Sequence, residues 1–137
     1  MKEPETIVEK VITNTLKSKD MPLFIMKLEQ DIRNGEAKAS RDDLNWFEIY
    51  TFLMEKLELL QAGEPADMRA GDWRLKVHDF EKLRSIMTEM EESNLVENVF
   101  WNVEGIVLFD ISNEAHYREY VFCKIRNHVC KMYEHFP

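Results

Sequence analysis

Residues 40–60, Ser40-Arg41-Asp42-Asp43-Leu44-Asn45-Trp46-Phe47-Glu48-Ile49-Tyr50-Thr51-Phe52-Leu53-Met54-Glu55-Lys56-Leu57-Glu58-Leu59-Leu60, decide the fold class. Trp46, Ile49, Tyr50, Leu53, Leu57 and Leu60 recur at the three- and four-residue intervals of one helix face, flanked by Phe47 and Met54. Leu44, Phe52 and Leu59 fall towards the other side. A helix that is apolar on more than one face needs neighbours on several sides, so this segment is expected at the centre of a helical fold. Ser40, with Asp43 three residues on, forms an approximate capping box at its start.

Working towards the amino terminus, Ile7, Val8, Val11, Ile12 and Leu16 predict an amphipathic helix from Glu5 to about Lys17. Asp20 before Met21-Pro22 reads as an N-cap followed by Pro in the first turn, where its missing N–H costs nothing. The helix that follows carries Phe24, Ile25, Leu28 and Ile32, and Asn34-Gly35 supplies its stop.

Towards the carboxyl terminus, Gly63, Pro65 and Gly71 punctuate a loop that ends near Trp73. A fourth helix is predicted from about Val77 to Glu92, with Phe80, Leu83, Ile86, Met87 and Met90 on one side. After Ser93-Asn94 the period changes. Val99, Trp101 and Val103 alternate with Phe100, Asn102 and Glu104, and Gly105 leads into Ile106-Val107-Leu108-Phe109. Two strands joined by a tight turn are expected, a hairpin over about residues 96–110 with large apolar groups on both faces and therefore packed on helices. Short apolar runs do not distinguish strand from buried helix by period alone, so a buried helix is the alternative there. Ser112 or Asn113 caps a last helix to about Phe136, whose apolar face carries Val121, Phe122, Ile125, Val129, Met132, Tyr133 and Phe136. The expected architecture is mainly α: a single-domain helical bundle of about five helices over residues 1–137, with one β-hairpin packed on it.

Composition fits that reading. A 137-residue chain is close to the commonest size of one domain, and four Gly and four Pro argue for long regular elements. The first residues lack the apolar stretch of a secretory signal, and no run approaches the length of a membrane span. Cys123 and Cys130 are seven residues apart on one predicted helix, too far for a disulfide within it, so two reduced thiols and a cytoplasmic location are expected.

The formal net charge of −8 is unevenly placed. Residues 1–35 and 105–137 are each balanced, whereas residues 36–104 hold sixteen acids against eight bases. The sharpest piece is Glu89, Glu91, Glu92, Glu97 and Glu104, a stretch without Lys or Arg. Negative charge disfavours direct contact with nucleic acid or anionic membrane and favours a protein partner with a basic surface. The plainer alternative is that the acids serve solubility.

Motifs for chemistry are absent. His128 and His135 point well away from Cys123 and Cys130 around the last helix, so the two pairs cannot share a tetrahedral metal. Five serines lack a Gly-x-Ser-x-Gly turn, and no phosphate-binding glycine loop is present. His78-Asp79 diverges by about 100° on a helix and makes a poor acid–base pair. No catalytic residue, cofactor or metal is assigned, and the chain leans away from being an enzyme. The expected function is a small acidic protein-binding module of inhibitor, immunity or regulatory-adaptor type. Its partner-binding residues are Glu89, Glu91, Glu92, Glu97, Glu104 and Trp73. The alternative is a small-molecule-binding or enzymatic helical domain with an interhelical pocket drawing on His78, His116, Tyr120 or Cys123. Oligomeric state is left open by the sequence.

Overall fold

The computed structural model describes residues 7–61, 79–101 and 107–133. Helix α1 spans Ile7–Ile12, and a 3₁₀ turn at Ser18–Asp20 leads into α2, Met21–Arg33. Then come α3 (Arg41–Gln61), α4 (Phe80–Glu92), strand β1 (Val96–Trp101), strand β2 (Val107–Ile111) and α5 (Glu114–Met132). The protein is mainly helical, with 71% of the described residues in helices and one antiparallel hairpin, as the periodicities predict.

Helix α3 is the hub, packing on α2, α4, α5 and the 3₁₀ turn. Leu44, Phe47, Ile49, Tyr50, Phe52, Leu53, Met54 and Leu57 are all buried, which explains its apolarity on more than one side. Burying each such side chain is worth roughly 1.5–3 kcal/mol, more than any single cap, so packing dominates this helix. Phe24 meets Phe47 edge to face, and Tyr117 of α5 donates its hydroxyl to the Leu53 carbonyl at 2.8 Å.

Most helix ends follow the sequence signals. Ser40 N donates to Asp43 Oδ2 at 2.9 Å, and Asp43 N returns a bond to Ser40 Oγ at 3.4 Å. Gly35 adopts φ +77° after α2, with Glu36 N bonded to Asp31 O and Gly35 N to Ile32 O. Asn113 caps α5 by accepting from His116 N at 3.0 Å. Helix α4 begins at Phe80, three residues later than expected, because Asp79 caps it by accepting from Lys82 N; Val77 and His78 lie outside the described residues.

Two ends differ from expectation. The first helix ends at Ile12 and not near Lys17, because Asn14 takes φ +58° and Thr15 N reaches back to Lys10 O at 2.9 Å. Asn is the non-glycine residue that adopts this left-handed stop most readily. Asp20 occupies the cap position of α2 but does not cap it. Its Oδ2 accepts instead from Lys17 N at 2.9 Å, and its Oδ1 pairs with Lys10 Nζ at 3.3 Å, closing the 3₁₀ turn.

The hairpin pairs Val96 with Ile111, Glu97 with Asp110, Phe100 with Leu108 and Trp101 with Val107. Between Glu97 and Phe100 the register slips by one residue, at a bulge where Asn98 has φ +54°. One face is covered: Val96, Val107 and Phe109 are buried, and Phe109 packs on Phe52 and Tyr117. The hairpin is thus packed on the helical body as expected, while its other face leaves Phe100 58% exposed.

Candidate functional site

Where α4 passes into the hairpin, several carboxylates gather. The last turn of α4 carries Glu89, Glu91 and Glu92 and no base, although a helix carboxyl end is the negative pole of its dipole. Asn94, at φ +61°, stops the helix, and Leu95 N bonds to Met90 O, turning the chain straight into β1. There Glu97 sits directly opposite Asp110, a like-charge cross-strand pair. Asn98 Nδ2 donates to Asp110 Oδ2 at 2.9 Å and relieves one of the two carboxylates. The bulge shifts the side-chain alternation, so Phe100 shares the outer face with Glu97 and Asp110.

Glu91, Glu92 and Glu97 are exposed there, and among the described residues none of them forms an ion pair. Glu89 is turned elsewhere: its Oε1 accepts from Tyr120 Oη at 2.6 Å and lies 3.3 Å from Lys124 Nζ on α5. The Tyr120 bond, with Lys124 beside it, holds the Glu89 carboxyl below its ordinary range, while burial and the same bond push the Tyr120 phenol up. Glu104 and Trp73 lie outside the described residues. Phe100 and Asp110 join the face without having been singled out by sequence, since only the bulge and the pairing register place them beside Glu97.

A second feature is a polar cleft of about 360 Å3 between α3, α4 and α5, walled by Trp46, Tyr50, Glu89, Lys124 and His128. His128 Nε2 lies 3.1 Å from Asp43 Oδ1, and its Nδ1 lies 2.9 Å from Tyr50 Oη. An ionised carboxylate only accepts, so Nε2 carries a proton towards Asp43, and in the neutral imidazole Nδ1 accepts from the Tyr50 hydroxyl. Burial pulls the Asp43 carboxyl upward, but hydrogen bonds from Ser40 and His128 outweigh it and leave it below the ordinary value. Burial, with Asp43 and Glu89 nearby, raises the Tyr50 phenol. Both imidazole nitrogens are therefore committed, inside a ring of Trp46, Phe47 and Tyr50. This arrangement clamps α5 to α3.

His116, Tyr120 and Cys123 do line one shallow depression on α5, together with Leu95. Both cysteines are free and exposed. Among the described residues no three His, Cys, Asp or Glu side chains are placed to hold a metal ion, and no helix is long and apolar enough to cross a membrane. No protein-family model, curated protein or solved structure matches the chain.

Proposed function

We propose that the protein is a small acidic protein-binding module, of inhibitor, immunity or regulatory-adaptor type, that captures a basic protein surface through the turn from α4 into the hairpin. One observation carries the reading: Glu91 and Glu92 stand at the negative pole of α4 and Glu97 faces Asp110 across the hairpin, around an exposed Phe100. Carboxylates recruited for solubility alone need not occupy opposed positions, whereas binding surfaces regularly violate local preferences. The exposed aromatic supplies an anchor, and the surrounding charge supplies orientation and attraction. The two exposed free thiols support a reducing, cytoplasmic setting.

The test is capture of partners from a cell extract by the wild-type chain and by the E91K/E92K/E97K variant, at low and high salt. A basic protein retained by the wild type at low salt, released by salt and lost with the variant is the expected result. Equal retention under all four conditions refutes electrostatic capture.

The polar cleft beside His128 favours a second reading, an interhelical pocket for a small molecule, because Glu89, Lys124 and His128 converge on it. Native mass spectrometry of freshly purified protein separates the two readings. A bound small molecule released by the K124A variant would support the pocket.

A further inference from the structure

In the polar cleft between α3, α4 and α5, hydrogen-bond donors outnumber the acceptors available to them. Lys124, Asn127, His128 and Lys131 fall within an arc of about 100° on α5, so one stripe of that helix faces the cleft. Ser85 lines it from α4, and Trp46 and Ile86 supply apolar surface. The principal acceptors are engaged. His128 Nδ1 meets the Tyr50 hydroxyl at 2.9 Å, and Glu89 Oε1 takes Tyr120 Oη at 2.6 Å with Lys124 Nζ 3.3 Å away. Three donors are not. Among the described residues Lys131 forms no ion pair and Ser85 no side-chain hydrogen bond. Asn127 Nδ2 donates to Cys123 Sγ at 3.6 Å, a weak acceptor that takes one of its two N–H groups.

We propose that this cleft binds a small organic anion, a carboxylate or phosphate group on a compact apolar body. The anionic head takes charge-assisted hydrogen bonds from Lys131 Nζ, the second Asn127 N–H and Ser85 Oγ, and Trp46 and Ile86 cover the body. The balance of charge favours this sign. Two lysines line the cleft against one glutamate, and Lys124 offsets that glutamate, which leaves the Lys131 ammonium uncompensated. A cationic ligand meets that ammonium as a like charge, and a neutral one covers it without pairing it. A volume of about 360 Å3 restricts the occupant to a small molecule. The inference rests on the interhelical-pocket reading above and goes beyond it by fixing the charge of the ligand and the side chains that hold it.

The test titrates the full chain, at fixed ionic strength, with benzoate, phenyl phosphate, benzamide and benzylammonium, probes of similar size and different charge. Backbone amide NMR shifts give both affinity and location. The two anions are expected to perturb residues 85–89 and 124–131, and the neutral and cationic probes to bind about tenfold more weakly. The tighter of the two anions tells carboxylate from phosphate. Lys131→Gln should weaken the anions about fivefold, and Glu89→Gln should tighten them by a similar factor, because it releases Lys124. Lys19→Gln, away from the cleft, should change nothing. Benzamide or benzylammonium binding in the cleft as tightly as benzoate overturns the anion assignment and leaves the pocket reading standing. No probe perturbing the cleft overturns both. Shifts scattered over the surface, or unchanged anion affinity in Lys131→Gln with an otherwise native spectrum, also overturn the assignment.

Discussion

Glu97 and Asp110 face each other across the β1–β2 ladder, two carboxylates in one cross-strand pair, with the amide of Asn98 donating to Asp110. Opposite charges or a Thr pair would stabilise that position, whereas like charges detract from it. The local interactions of the hairpin therefore do not account for this choice of residues.

Removing one charge tests that account. Glu97→Gln keeps the side-chain length and should raise stability by about 0.2–1 kcal/mol, read as a higher urea midpoint at unchanged m-value. The gain should shrink at high salt, where exposed like charges are screened. The same variant should bind the partner less well, so stability and capture move in opposite directions.

The Tyr50–His128–Asp43 chain makes a structural prediction. His128→Phe preserves an aromatic ring among Trp46, Phe47 and Tyr50 but strips a partner from both the Tyr50 hydroxyl and the Asp43 carboxylate. A loss of about 1–3 kcal/mol is expected. Tyr50→Phe alone should cost about 1 kcal/mol, and the double variant should cost less than the two losses combined, because both remove the same hydrogen bond. Additive losses in chemical denaturation would mean that the two side chains act separately.

Acid sensitivity follows from Asp31 and Asp43. Burial pushes the Asp31 carboxyl up, but hydrogen bonds from Lys27 and Tyr133 outweigh it, so it lies below its ordinary 3.8. Asp43 is lowered in the same direction. A carboxyl held below its unfolded value stabilises the fold fully above that value and loses the contribution as pH falls through the folded one. Asp31→Asn should therefore be less stable than wild type near neutrality, with the gap closing as pH falls below the ordinary carboxyl value. Urea midpoints across that range measure it, and a constant gap would remove Asp31 ionisation as the cause.

Much of this architecture is legible in local sequence because its causes are local. The two-sided apolarity of residues 40–60 announces a central helix, and Ser40, Gly35 and Asn113 each mark an end through their own backbone chemistry. Asn14 carries the same kind of signal in weaker form, and the apolar Leu16 beyond it masks the stop. The facing of Phe100 is not legible, because a bulge at Asn98 reverses the side-chain alternation and nothing in a two-residue period encodes it. His128 reaches Tyr50 and Asp43 across 78 and 85 residues, a meeting set by the packing of α5 on α3. Spacing along α5 tests only whether its histidines and cysteines can meet one another. The carboxylates were legible as a cluster but not individually, since only coordinates distinguish Glu89, bonded to Tyr120, from Glu91 and Glu92, which face solvent.

Phe100 separates binding from folding most cleanly. At 58% exposure its ring contributes little to the core, and its outer face neighbours are Leu108 and the Glu97–Asp110 pair. Phe100→Ser should leave the thermal midpoint nearly unchanged, because an exposed aromatic on a hairpin loses only partial burial and some strand propensity. If the ring anchors a partner, the same change should weaken capture at least tenfold, in the range of about 1–2 kcal/mol or more that aromatic anchors supply at interfaces. The loss should persist at high salt, where the contribution of the surrounding carboxylates is screened, since burial of an apolar ring does not depend on ionic strength. A variant that unfolds readily yet binds normally when folded would place Phe100 in the fold and not in the interface. Measuring capture and thermal midpoint on one preparation distinguishes the two outcomes.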